Sequence, residues 1–208
     1  MNSKKKWEYF NKRLETMWDV YLECMEHFDA KFSEAWKVFC ESRDEQQYDE
    51  QQYREYLREI EFPYRNTLNS AMLITFCSLT EHVVADIANE NVKEYEEKKK
   101  RKKGDWLVRN IELLNECRFD IDLNGDDARL FSHYIQIRNC VVHNGGKISN
   151  SKHLVQLADA IEAVEKYAKD HNYNMIKIKD DYLMLGSDLI SDVVAKSVDI
   201  IEGILEKI

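Results

Sequence analysis

One proline, Pro63, in 208 residues is the strongest constraint on what this chain can become. Proline breaks helix interiors and glycine weakens them. With only six glycines beside that proline, long helices meet few interruptions. The apolar residues obey the same reading. Trp7, Phe10, Leu14, Met17, Trp18, Tyr21 and Met25 recur at steps of three and four, and Phe28, Phe32, Trp36 and Phe39 continue the stripe. Residues 3–42 are therefore expected to form one amphipathic helix. The next stretch, "DEQQYDEQQYREYLREIEF", repeats five residues. Five residues advance a helix by about 500°, so Tyr48 and Tyr53 do not share a face, and the segment reads as a polar, solvated helix.

Pro63 suits the first turn of the helix that follows. That helix, 64–96, is the most apolar of the chain. Leu68, Met72, Phe76, Leu79, Val83 and Ile87 make its stripe, and Ala71, Ile74, Cys77, Val84, Ala85 and Ala88 broaden it. A helix apolar over most of its circumference belongs at the centre of a bundle. Further helices are expected at 105–117, 126–143 and 151–170, with an Asn124-Gly125 turn before the second. "MIKIKDDYLMLG" then alternates about Asp180-Asp181, which predicts a β-hairpin near 174–186. A last helix, 187–208, carries Ile190, Val194, Ser197, Ile201, Ile204 and Ile208 in a near-heptad stripe, fit to close the bundle or to face a second subunit. The expected fold is an all-α helical bundle, with a core at 63–208, an N-terminal amphipathic extension at 1–62 and one small late hairpin.

Formal net charge is −9, so the chain as a whole is not built to coat nucleic acid, and any RNA contact must use local basic patches. The lysines near the start precede no apolar run of the secretory kind. "AMLITFCSL" is too short to span a bilayer. Five cysteines, Cys24, Cys40, Cys77, Cys117 and Cys140, follow no regular spacing, which argues against a disulfide framework and suits a reducing cytosol.

The stretch "RNCVVHNGG", Arg138 to Gly146, carries the chemistry. RNA brings its own nucleophile, the 2′-hydroxyl. An imidazole has a reference pKa of about 6.5, so it can remove that proton or protonate the leaving 5′-oxygen. A guanidinium can hold two phosphate oxygens and stabilise the charge that grows on them. Arg138, Asn139 and His143 supply these groups without a metal or cofactor, with Asn139 orienting the histidine or the phosphate. Asn139 and His143 lie about 40° apart around a helix, but Arg138 lies about 140° from His143. Either the last turn loosens at Asn144-Gly145-Gly146, or a twofold dimer brings two copies of the motif into one cleft. The plain structural alternative is an arginine bonded to a carboxylate and a histidine well placed at a helix C-terminus.

"RNCVVH" resembles the Arg-x4–6-His signature of the HEPN superfamily (higher eukaryotes and prokaryotes nucleotide-binding domain), including its polar residue after the arginine. The motif covers six residues and the similar helical layout covers 63–208. The resemblance implies a small helical bundle and a metal-independent endoribonuclease acting as a homodimer on RNA. Arg138, Asn139 and His143 would be its catalytic set. It implies a role as a toxin or phage-defence effector, with an antitoxin or other regulatory protein as partner. Some members keep the fold without activity, so a non-catalytic module binding protein or nucleotide is the alternative.

Glu81 lies on the central helix among Cys77, Ser78, Val84 and Ala85. An unpaired carboxylate on that face would be costly, and Arg138 is its expected partner, in a structural or a catalytic pair. Lys98, Lys99, Lys100, Arg101, Lys102 and Lys103 form the longest basic run, a loop or frayed helix end able to dock an RNA backbone. Cys140 and His143 have the spacing of half a zinc site, with no second half in the sequence. His27, His82, His133, His153 and His171 read as surface or packing residues.

Overall fold

The computed structural model describes the backbone of residues 3–41, 50–122 and 125–208, with side chains in those segments from Lys5 onward except at 36 and 39–62. The stripe positions Trp36 and Phe39, the repeated tyrosines Tyr48 and Tyr53, Cys40 and Asn124 lie outside the described side chains. The elements run α1 (Ser3–Glu41), α2 (Glu50–Asn91), α3 (Tyr95–Lys99), α4 (Trp106–Glu116), α5 (Asp126–Asn144), α6 (Leu154–His171), β1 (Ile176–Lys179), β2 (Tyr182–Leu185) and α7 (Ser187–Leu205). A single 3-10 turn, Ile148–Asn150, joins α5 to α6.

The two long helices pack antiparallel. Phe28 meets Tyr64 with ring centroids 6.3 Å apart. Tyr21 donates to Asn69 Oδ1 at 2.9 Å, Trp18 lies 6.4 Å from Phe76, and Lys6 pairs with Glu90 at 2.8 Å. The stripe on α1 explains this: Phe10, Leu14 and Tyr21 are buried, and Trp7, Met17, Trp18 and Met25 pack beside them. The first half of α1 thus belongs to the main core. Burial pushes the Tyr21 phenol up to about 12, because a phenolate is poorly solvated there.

The helix start expected at Pro63 is overturned, since α2 runs through that residue. An interior proline removes one backbone hydrogen bond and costs about 3 kcal/mol, which the packing of α1 on the turns that follow it, Phe28 on Tyr64 and Tyr21 on Asn69, helps to offset. The expected continuation to 96 also ends early. Asn91 closes α2, and Glu94 takes a left-handed conformation at φ 60° before α3.

Expected centrality does hold for this helix. Its apolar circumference packs against α1, α4, α5 and α7, with Leu73, Phe76, Cys77 and Val84 fully buried. Each large aliphatic or aromatic side chain so placed contributes about 1.5–3 kcal/mol. The segment Pro63–Asn91 is long and apolar enough by composition to cross a membrane, and half of its most apolar window is buried inside the fold. Apolar partners within the protein account for the buried half.

Helix α7 closes the bundle against α2 and α5. Leu189, Ile190, Val193, Ile201 and Ile204 are buried, and Thr80 on α2 donates to Ser197 on α7 at 2.8 Å. A polar tie joins three helices: Tyr134 on α5 and Tyr167 on α6 both donate to Asp192 on α7, at 2.5 and 3.1 Å. Burial, then the bonded carboxylate, holds the Tyr134 phenol far above its ordinary value.

The hairpin pairs Ile176 with Leu185 and Lys179 with Tyr182. Its turn is made by Asp180 and Asp181, both left-handed at φ 51° and 71°. Two positive φ angles define the turn that matches strand twist, and aspartate tolerates them. Asn66 Oδ1 accepts from the Leu185 amide and Asn69 donates to the Leu185 carbonyl, each at 2.7 Å. Helix α2 thus grips β2 at both polar groups of one residue. In turn, the Leu183 amide donates to Gly146 O at 2.9 Å, and the Ile148 amide to Asp181 O at 2.9 Å. The hairpin pins the link that follows His143.

Candidate functional site

Helix α5 is regular through Asn144 and stops on Gly145, left-handed at φ 58°. The amides of Gly145 and Gly146 both turn back to the Cys140 carbonyl. This is the glycine-dependent stop the sequence implied. It also removes one expected route to convergence, because the last turn does not loosen and His143 stays within the helix.

Arg138 leaves α5 towards α2. Its Nη2 lies 3.1 Å from Glu81 Oε2 and 3.4 Å from Ser78 Oγ, while Nη1 donates to Asn139 Oδ1 at 3.0 Å. The partner expected for Glu81 is therefore the one found. The pair is unevenly buried, the arginine side chain 16% exposed and the glutamate 38%. Arg138 Nε–H is buried without a partner among the described residues. Beneath it, burial pushes the Cys77 thiol up to about 12, which keeps this side chain neutral.

His143 points elsewhere, as 140° of helix rotation requires. It is exposed and lines a groove of about 420 Å³ with Gln136, Asn139, Asn144, Lys152 and His153. Arg138 lines an adjoining groove of about 580 Å³ with Glu81, Trp106, Arg109, Asn139 and His153. Both volumes fall in the range of ligand clefts, roughly 300–1,000 Å³. Three side chains line both: Gln136, Asn139 and His153. Asn139 thus stands on the ridge between the guanidinium and the imidazole. The combined surface offers two guanidinium groups, one ammonium, two imidazoles and four side-chain amides against the carboxylates of Glu81 and Asp105, a set suited to holding a phosphodiester and moving its protons.

Cys140 lines the floor of the His143 groove but offers no thiolate there. It is buried with Sγ 3.7 Å from Lys147 O, and burial raises its pKa and holds it as the thiol. Among the described residues no group of three or more metal-capable side chains forms.

No protein-family model, curated protein or solved structure matches this chain. The site's chemistry therefore rests on its own residues and their placement.

The basic run divides. Lys98 and Lys99 end α3, where Lys99 sits 5.1 Å over the Tyr95 ring. Lys102 is bound to Glu116 at 2.7 Å and Glu112 at 3.4 Å, and the bond to Glu116 raises its pKa. Lys100, Arg101 and Lys103 are exposed. The run leads to Gly104 and Asp105, which line the Arg138 groove. Two site residues escaped the sequence reading. Arg109 comes from α4 and carried no signal, since its approach to α5 is tertiary. His153 had one: the tight Gly145-Gly146 stop and short link fold α6 back against α5, so residues just before α6 return beside His143.

Proposed function

We propose that this chain is a metal-independent endoribonuclease of the HEPN type, acting as a homodimer in the cytoplasm. Its role would be that of a toxin or phage-defence effector restrained by an antitoxin or other regulatory protein. An imidazole takes the proton of a ribose 2′-hydroxyl, and the oxygen attacks the adjacent phosphorus. The bond from phosphorus to the 5′-oxygen breaks, and that oxygen leaves with a proton from an acid. The products are a 2′,3′-cyclic phosphate and a 5′-hydroxyl. Arg138 stabilises the pentacoordinate phosphate, and Asn139 orients it.

The observation that carries this reading is the ridge at Asn139, with a guanidinium opening to one side and an imidazole to the other. Exposed Lys100, Arg101 and Lys103 beside the Arg138 groove support a polyanionic substrate. A second reading has its own support. The Arg138–Glu81 bond at 3.1 Å suits a structural pair in a non-catalytic module that binds protein or nucleotide.

The test is RNA cleavage in EDTA by wild type, Arg138→Ala and His143→Ala. The ribonuclease reading expects each variant to lose at least about 100-fold. Recovery on mixing the two variants would mark a site shared across a dimer. Undiminished cleavage by both variants, or an inert wild type, favours the non-catalytic module.

A further inference from the structure

Transphosphorylation needs two proton carriers on opposite sides of the phosphorus, one for the attacking oxygen and one for the leaving oxygen. The sequence motif supplies one imidazole. We propose that His153 is the second, and that His143 and His153 of one chain work as an acid–base pair across a phosphate seated over Asn139. This rests on the ribonuclease reading and extends it.

Three observations carry it. His143 and His153 line the same 420 Å³ groove. His153 also lines the Arg138 groove, which His143 does not, so it is the imidazole common to both grooves. Its imidazole is exposed and, among the described residues, holds no bond: His153 occupies the position before α6, yet its side chain makes no capping bond. A residue kept there for helix stability would be serine, threonine, aspartate or asparagine, whose oxygen caps the first turn. The flanking chemistry fits an anion. The first-turn amides of α6, an eighteen-residue helix, open beside His153 and favour negative charge. Lys152 adds a cation to the same groove.

Proton and leaving group balance within the pair. One imidazole accepts the 2′-hydroxyl proton while the other, entering protonated, gives its proton to the 5′-oxygen. Hydrolysis of the cyclic phosphate, or exchange with solvent, returns each to its starting state. No metal or further reactant is required.

The experiment compares wild type, His143→Ala and His153→Ala on two substrates in EDTA. One is an RNA oligonucleotide. The other is a nucleoside 3′-(p-nitrophenyl phosphate), whose leaving phenolate departs without a proton. Binding is read separately with a 2′-O-methyl RNA that cannot be cut. His153 is exposed and its side chain uncommitted, so the variant should fold, which circular dichroism checks. The expected result has four parts. Wild type cuts RNA. Both variants lose at least about 100-fold on it, with affinity for the uncut RNA within threefold of wild type. The variant lacking the acid regains activity on the activated ester, while the variant lacking the base does not. If His143→Ala is inert while His153→Ala cuts RNA normally, the pair is refuted and the ribonuclease reading stands. Loss in His153→Ala traced wholly to weaker affinity, or neither variant recovering on the ester, also refutes the pair. An inert wild type removes the ribonuclease reading and the pair with it.

Discussion

A titratable group outside the candidate site makes the residue scale measurable. His133, half-buried on α5, has its pKa lowered, chiefly by burial and then by Arg129, against opposing pulls from Asp159 and Asp105. In the unfolded chain an imidazole titrates at about 6.5. The unfolded state therefore binds the extra proton first as pH falls, and the folded state loses stability from about pH 6.5 down through the depressed native value. Above pH 6.5 both states are neutral there and the contribution is flat. His133→Gln removes that proton-binding difference, so the variant's unfolding midpoint should fall less than the wild type's between pH 7 and pH 5. Parallel curves from chemical denaturation at each pH would show that His133 is solvated in the native state. The residue scale was also where sequence reasoning reached furthest into the site. A carboxylate among small apolar neighbours must find a cation, and Glu81 finds Arg138. Rotation about a helix must separate Arg138 from His143, and they open into different grooves.

Elements were legible wherever the driving force is periodic burial. The stripes on α1, α2 and α7, the glycine stop of α5 and the alternating hairpin all follow from local pattern, because each side chain's face is fixed by helix or strand geometry. What escaped was decided between elements. Pro63 alone predicts a helix start, yet α2 runs through it, with Phe28 of α1 packed on the next residue, Tyr64. The hairpin turn falls at Asp180-Asp181, where the alternation placed it, and only the support for a turn without glycine, the Ile148 amide bonded to Asp181 O, came from another element. Arg109 reaches the site through packing that no local pattern encodes, whereas the glycine stop and short link after α5 bring His153 back to it. Two glycines give this a testable form. At Gly186, between β2 and α7, an added Cβ would lie 1.8 Å from Asn174 O, a backbone atom that cannot swing aside. The Gly186 amide also donates to Met175 O at 2.7 Å, which locks the approach. Gly186→Ala should cost about 3 kcal/mol, lowering the melting temperature by roughly 6–12 °C for a domain of this size. At Gly203, inside α7, a Cβ meets nothing within 4 Å. There the helix preference of alanine should stabilise by about 0.5–1 kcal/mol. Differential scanning calorimetry of the two variants should give opposite signs, and matching signs would mean that the hairpin–α7 junction relaxes freely.

At the scale of the whole molecule, the difficulty for an RNA substrate is charge. A chain of net charge −9 repels a polyanion on average, so attraction must come from where the cations stand. Lys100, Arg101 and Lys103 stand exposed where the chain leads into the Arg138 groove, and Lys102 between them is neutralised by Glu112 and Glu116. The run of six therefore offers fewer free charges than its sequence advertises, and the two kinds of lysine should behave differently. Each phosphate neutralised on a single strand contributes about 0.7 to the slope of log affinity against log salt. Replacing Lys100, Arg101 and Lys103 by serine should flatten that slope by up to about 2 for an uncleavable RNA. Affinity should fall most at low salt, where screening is weakest. Replacing Lys102 alone should leave the slope unchanged, because its charge is already spent on α4. That variant should instead lose the small stability of an exposed ion pair. Fluorescence anisotropy across a salt series separates the outcomes. Equal slopes for the triple variant and wild type would mean that RNA approaches from another face. A slope change for Lys102→Ser would mean that the ion pairs to α4 open when RNA arrives. The first result would leave the Arg138 groove without its electrostatic entrance, since the remaining cations that line the two grooves, Arg109, Arg138 and Lys152, would have to draw in the strand against the net charge of the chain.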